Sequence, residues 1–329
     1  MAYCKISLKE VPRGSKYEDY HDAAFKKLFG SLKVSPVLPF SRSEFKQDSV
    51  KYTKGMSISG VHQKLSLIID ANGYLSPVNQ GGEFILKPSP EEFPFAAENE
   101  HAAMLISDLL GIDTAHCGLV AFSDGELAYV TKRFDRLANG QKRHQEDLLQ
   151  GFNMQSDRKY DKSYEEAGRL VFEMTDGKKS VVSDYLRRVV YAYLIGNSDL
   201  HLKNLSLQKN EDNKTHFYDK LSPNYDCLFT DTYESLEDAG FFALDLFKDG
   251  ETTGEYDHYG YPTGYDFLEL CRRLDIPTTI FAKFVDLIVK RKSEVIEMIN
   301  RSFMPEKMKE KALETVEDRL RVMQVGAFE

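Results

Sequence analysis

The chain has 329 residues, enough to bury a large core and to form two lobes or domains. Its 43 basic and 52 acidic residues leave a net charge of −9, which argues against general affinity for nucleic-acid phosphates. Four cysteines without CxxC spacing, no apolar signal core and no apolar run near the roughly eighteen residues of a membrane span argue against a disulfide frame, a zinc site and a membrane helix, and lead us to expect a cytoplasmic protein.

In chain order, Tyr20, Ala24, Phe25, Leu28 and Phe29 predict a short amphipathic helix, and Pro36, Pro39 and Ser41 a linker. Strands are expected at 65–70, 83–87, 117–122 and 126–133. Between them, Ala102, Leu105, Ile106 and Leu109 repeat with helical spacing over 96–110, and Gly111 ends the pattern. The second half is mostly helical. Tyr164, Ala167, Leu170, Val171 and Met174 share one face, and Leu186, Val189, Val190, Tyr193 and Leu194 share another. A hairpin is expected with strands at 205–207 and 216–218 around a 209–214 turn. Phe241, Phe242, Leu244 and Leu246 read as a strand between solvated loops, and 279–299 and 305–325 as two long helices. The fold class is therefore α+β, bilobal, with a β-rich front lobe over 1–135 and a helical back lobe over 136–329.

Chemistry enters with Asn197-Ser198-Asp199-Leu200-His201-Leu202-Lys203-Asn204. An aspartate can deprotonate an acceptor hydroxyl, while an asparagine amide at this distance can hold a metal against nucleotide phosphates. D-x-x-x-x-N alone is a weak pattern, and both residues also serve as ordinary turn and helix caps. Its company in chain order adds weight. Lys87 ends a strand that Pro88 cuts off, Glu100 lies on the following helix, and Asp226 follows the hairpin. Lysine, glutamate, aspartate–asparagine, aspartate is the running order of a kinase active site, ATP bound through Lys87 and Mg²⁺ through Asn204 and Asp226. Glu98 competes with Glu100 as the partner of Lys87, and Glu100 has the better register with the apolar face.

At this point the chain resembles the HipA family of serine/threonine kinase toxins, and among them the short HipT type of three-component systems. The residues that carry the resemblance are Ser57-Ile58-Ser59-Gly60-Val61-His62-Gln63-Lys64, Leu86-Lys87-Pro88-Ser89, Glu98-Asn99-Glu100 with Met104, Lys132-Arg133-Phe134-Asp135-Arg136, His144-Gln145-Glu146-Asp147, 197–204 and Tyr225-Asp226. Before Ser57 the chain is too short for the extra N-terminal subdomain of full-length relatives, hence the HipT expectation. The resemblance implies that Asp199 is the catalytic base. It further implies adenine contacts from the backbone of Lys132 and Phe134, and a ribose contact from Asp135. His201 stands where many kinases place a lysine; a neutral imidazole is a weaker counter-charge than an ammonium, so Lys203 is the better candidate for the γ-phosphate, and His201 either assists there or packs beneath the loop. The loop around Ser57 is not GxGxxG, yet the amides of Ser59, Gly60 and Val61, with Lys64, can cradle phosphates. By resemblance, Ser57 and Ser59 are also self-phosphorylated, which would set like charge against bound ATP. The implied target is an aminoacyl-tRNA synthetase, and the implied partners are a HipB-like helix-turn-helix antitoxin and a HipS-like small protein, with no direct contact to nucleic acid or membrane. Transfer to a small molecule or lipid on the same fold, and a non-catalytic nucleotide-binding module, are the alternatives.

Overall fold

A computed structural model describes residues 2–52, 64–137, 140–236 and 240–327. The chain divides into two compact units. The first holds Met1–Leu105, Ala115–Gln141 and Asn300–Pro305; the second holds Ile106–Thr114, Lys142–Ile299 and Glu306–Glu329.

In the first unit, α1 (Asp22–Phe29) starts where His21 Nδ1 accepts the Ala23 amide, and it ends at Gly30, whose φ of 77° is the left-handed cap. Helix α2 (Arg42–Tyr52) occupies part of what the prolines suggested was linker. The sheet is built from β1 (Leu65–Ile69), β2 (Leu75–Pro77), β3 (Phe84–Pro88), β4 (Cys117–Ala121) and β5 (Leu127–Lys132), in the antiparallel order β2-β1-β3-β5-β4. Helix α3 (Ala96–Leu109) is laid down between β3 and β4. Strand β3 alternates in the expected manner: Phe84 and Leu86 are buried with Phe25, Phe29, Leu67 and Val130 in the core, and Ile85 and Lys87 lie on the other face.

The second unit opens with β6 (Gln145–Asp147) and α4 (Leu148–Gly151), capped reciprocally by Asp147 and Gln150. Helix α5 (Tyr164–Met174) has the same kind of cap from Ser163 and Glu166. Helix α6 (Lys179–Leu194) is buried along most of its length, which explains its dense apolar sequence. Strands β7 (Ser206–Gln208) and β8 (Lys220–Leu221) complete a three-stranded sheet, β6-β7-β8. Helices α7 (Gly254–Tyr259), α8 (Gly264–Arg273), α9 (Thr279–Arg301) and α10 (Glu306–Met323) follow.

Two expectations are corrected. The hairpin returns through Lys220–Leu221 and not through 216–218, since Leu207 pairs with Leu221. Asp219 draws the intervening loop together by accepting from the Asn210 amide and the Asn213 side chain, at 2.8 and 2.7 Å. Residues 241–246 form no strand. The carbonyls of Asp245 and Leu246 instead accept from the amides of Tyr164 and Glu165, at 2.8 and 3.1 Å, and so satisfy the start of α5. Among the described residues, no helix is long and apolar enough to cross a membrane. Cys4, Cys117, Cys227 and Cys271 are all buried thiols.

Candidate active site

Lys87 lies near the end of β3, and α3 returns Glu100 to it. Their Nζ–Oε1 distance is 2.8 Å, with the lysine side chain 21% exposed and the glutamate 6%. The Tyr129 ring, on the paired strand β5, stands 5.6 Å from the same ammonium. A buried carboxylate, an ammonium and an aromatic face fix the direction of a single positive charge, which is what a phosphate contact needs. Glu98 is thereby separated from Glu100. It is also buried, but burial pushes its carboxyl up to about 7, against the opposing pull of hydrogen bonds from its own backbone amide and, less, from Ser89.

At the end of β5, the Lys132 amide donates to the His116 carbonyl at 2.8 Å. Asp135 is held bidentate by Arg133 at 2.9 and 2.7 Å, so any ribose contact must share that carboxylate. Lys64 directly precedes β1. Ser57, Ser59, Gly60 and Val61 lie outside the described residues.

The second unit carries the aspartate set. Helix α6 ends through Ile195, and Gly196 takes a φ of 63°; a Cβ there would lie 2.3 Å from Asp231 Oδ2, so glycine is the residue that makes this turn without displacing Asp231. The loop that follows is held by one buried hydroxyl. Thr230 Oγ1 donates to the Gly196 carbonyl at 2.5 Å and accepts from the Ser198 amide at 2.8 Å. Asn197, also buried, accepts the Asp199 amide at 3.1 Å. Two buried tyrosines support the loop from below: Tyr185 donates to the Tyr164 carbonyl at 2.8 Å, and Tyr164 donates to the Leu200 carbonyl at 3.0 Å.

Asp199 itself is half exposed, at 49%. A 3-10 turn over Leu202–Asn204 brings the Asn204 amide nitrogen to the Asp199 backbone carbonyl at 3.0 Å. With its nitrogen bonded there, the amide presents its oxygen as the end suited to a hard cation. Asp226 follows β8 in a left-handed conformation with a φ of 60°. The neighbouring Tyr225 phenol donates to the Lys203 carbonyl at 2.8 Å, which ties this segment to the loop. Among the described residues, no group of three or more His, Cys, Asp and Glu side chains is placed to hold a metal. The Asn204–Asp226 donor set is all oxygen, the chemistry that suits Mg²⁺.

His201 is buried beneath the loop, with Nε2 3.8 Å from Asp199 Oδ1. Burial pushes its imidazole below the ordinary range, against the opposing pull of Asp199, while Lys159 adds to the depression. The ring is thus neutral at pH 7. Lys203 donates to Ser156 Oγ at 2.7 Å. One contact had no signature in the sequence: the Tyr160 phenol donates to Asp199 Oδ1 at 2.7 Å. Nor did the sequence single out Thr230, four residues after Asp226 and two before a second threonine.

A family model described as the HipA-like C-terminal domain matches residues 56–300. A Haemophilus influenzae protein, provisionally named a kinase, is 35% identical over 98% of both chains. A Sinorhizobium fredii protein, provisionally named kinase Y4dM, is 36% identical over 55% of this chain and 47% of its own. Among solved structures, HipA of Shewanella oneidensis, determined with HipB and operator DNA, matches with a TM-score of 0.64 at 20% identity, over 83% of this chain and 67% of that one. The Helicobacter pylori proinflammatory kinase CtkA matches with a TM-score of 0.51 at 17% identity, over 80% and 95%. At these identities the two structures speak to the fold, which is kinase-like and α+β.

Proposed function

The chain belongs to the HipA-like C-terminal domain family, and from that premise we propose that it is an ATP- and Mg²⁺-dependent serine/threonine protein kinase of the toxin type, acting in the cytoplasm. The observation that carries this reading is the 199–204 loop. One turn of chain holds an exposed carboxylate and bonds the Asn204 amide to that residue's own carbonyl. Base and metal ligand are thereby set in a fixed relation before any ligand arrives.

In the proposed reaction, Asp199 accepts the proton of a serine or threonine hydroxyl. The hydroxyl oxygen attacks the γ-phosphorus, the bond to the β–γ bridging oxygen breaks, and ADP leaves with that electron pair. Lys87, oriented by Glu100, binds phosphate oxygens. Asn204 and Asp226 would hold Mg²⁺, which supplies charge neutralisation on the phosphates when bound. Lys203 is the ammonium nearest the base in sequence and is assigned the γ-phosphate, while the neutral His201 packs beneath the loop. Lys132, Phe134 and Asp135 are assigned to the nucleoside, and Ser59, Gly60, Val61 and Lys64 to the phosphate loop.

We assign the finer identity on the sequence resemblance: a HipT-type enzyme that phosphorylates an aminoacyl-tRNA synthetase, modifies its own Ser57 and Ser59, and is held by a HipB-like antitoxin with a HipS-like companion. The solved HipA with HipB supports the antitoxin, and the chain's net charge of −9 suits a basic DNA-binding partner. The deciding experiment incubates the purified chain and Asp199→Asn with γ-labelled ATP, alone and with whole lysate. Label in protein bands, including the chain itself at Ser57 or Ser59, and absent with Asp199→Asn, is the expected result. Label only in small molecules or lipids would move the acceptor to another class. No label with either protein would remove catalysis.

A further inference from the structure

Residues 156–161 run along the 199–204 loop and touch it four times, all within the second unit. The Lys203 ammonium donates to Ser156 Oγ at 2.7 Å, and the Leu202 amide to the Lys159 carbonyl at 3.3 Å. The Tyr160 ring meets His201 edge-on at 5.3 Å, and its hydroxyl reaches Asp199 Oδ1 at 2.7 Å. The segment is braced on itself by Arg158 and Asp161, 2.7 Å apart, and is anchored beyond by the Ser163–Glu166 cap of α5.

A base carboxylate needs an O–H donor within about 2.6–3.2 Å to take its proton. Tyr160 supplies that donor from within the chain. The contact is not forced by burial, since the tyrosine is 46% exposed and the Asp199 side chain 49%. Burial first, and then the Asp199 bond and charge, hold the phenol above its ordinary range, so it stays protonated and donates. An attacking hydroxyl that approaches Asp199 through Oδ1 meets this phenol oxygen already bonded there.

We propose that Tyr160 occupies the acceptor-hydroxyl position at Asp199, and that the 156–161 segment selects acceptors by requiring them to displace the phenol. This rests on Asp199 being the base, as argued above. A small acceptor such as water, which makes no other contact with the segment, competes poorly with a tethered phenol. A protein that binds the segment and lifts Tyr160 supplies its own hydroxyl in the same place. The phenol thereby suppresses ATP hydrolysis in the absence of a target.

The test uses the purified full chain, with ATP, Mg²⁺ and no added protein acceptor, and reads release of inorganic phosphate, which hydrolysis yields and transfer to the chain's own serines does not. Tyr160→Phe keeps the ring against His201 and removes only the hydroxyl, and Tyr160→Leu is the second variant should Phe pack differently. Each is expected to raise inorganic phosphate release about tenfold, the equivalent of one hydrogen bond to a charged group, with the KM for ATP unchanged. Adding Asp199→Asn to either is expected to abolish the gain. An unchanged or lower rate in both tyrosine variants, with Asp199→Asn inactive, would overturn the displacement while leaving the base assignment intact; a residue that merely positions Asp199 would give that fall. An Asp199→Asn variant as active as the parent would overturn both. Phosphate found on Tyr160 by peptide mapping would also overturn displacement, because it makes the phenol a substrate.

Discussion

The Lys87–Glu100 pair and the 199–204 loop hold their charges by opposite means. Glu100 is almost fully buried, and it meets Lys87 because β3 and α3 carry both residues there. The direction of the ammonium is thus a property of packed secondary structure. Asp199 is half exposed and owes its place to backbone hydrogen bonds around it, from Asn197, Asn204, Tyr164 and Thr230. A group that only has to present charge can be locked in a core. A group proposed to exchange a proton with an incoming hydroxyl has to stay open to that acceptor, and here its place is set through the main chain.

The contrast separates activity from stability, and Asp199→Asn should show it most strongly. Losing the proposed general base should lower phosphoryl transfer by about 10²–10⁴-fold. Because the carboxylate is half exposed, the melting temperature should stay within about 2 °C of the parent. Transfer assays and a thermal melt on the same preparation check both halves. A large loss of stability in this variant would break the comparison.

Lys87→Met should behave differently, losing both. Without the ammonium, Glu100 is left as a buried, less compensated carboxylate, at a cost of up to about 3 kcal/mol, reduced by the partial exposure of the lysine. Replacing Glu100 by leucine in the same chain should recover most of the stability and none of the transfer. Denaturant unfolding beside the transfer assay reads this, and a double variant no more stable than Lys87→Met would show that the pair is not the source of the loss.

The first unit offers a third, pH-dependent test at Glu98, close to Glu100 in sequence yet in another environment. Its folded carboxyl sits at about 7 against an ordinary value of 4.5, chiefly through burial. Between those values the folded chain holds a proton that the unfolded chain has released. Stability from this residue is therefore intact below about 4.5, declines as pH rises through the window, and is fully lost above about 7. Glu98→Gln should then stabilise the protein by about 2–3 kcal/mol at pH 8 and by little at pH 5. Unfolding curves at the two pH values decide it. An equal gain at both would point to packing and not to ionisation.

These two glutamates also show what a sequence can and cannot disclose. The strand that carries Lys87 and the helix that carries Glu100 were legible, because β-branched and apolar alternation and a 3.6-residue repeat are local signals, closed by Pro88 and Gly111. The chain order of Lys87, Glu100, Asp199, Asn204 and Asp226 was likewise legible, and the family match is consistent with it. Where side chains at long range decide the backbone, local pattern misled. Tyr218 looked like a strand residue, yet its ring stacks on His144 and its phenol donates to Glu146, so pairing with β7 passes to Leu221. Phe242 looked like a strand residue as well, but it packs on Tyr164, Tyr193 and Phe267. Tyr160 had no signal at all, being one exposed aromatic in a charged loop whose meaning depends on Asp199, far away in the sequence.

Thr230 is the smallest of the expected effects and the most specific test of main-chain control. Its hydroxyl both donates to the Gly196 carbonyl and accepts the Ser198 amide, so it closes the turn that launches the loop toward Asp199. Thr230→Val keeps the shape and β-branching and removes these bonds together with the contact to the Ser198 hydroxyl, leaving the Ser198 amide and the Gly196 carbonyl without that partner. The cost should be about 1–2 kcal/mol in stability, from the neutral hydrogen bonds of one buried hydroxyl. If main-chain bonds set the base, the same variant should also lower kcat several-fold while leaving the KM for ATP unchanged, since Lys87 and Glu100 lie in the other unit. Thr230→Ser, which restores the hydroxyl, should recover most of kcat. A kcat that follows the loss of the methyl and not of the hydroxyl would mean that packing, and not the turn's hydrogen bonds, holds Asp199 in place.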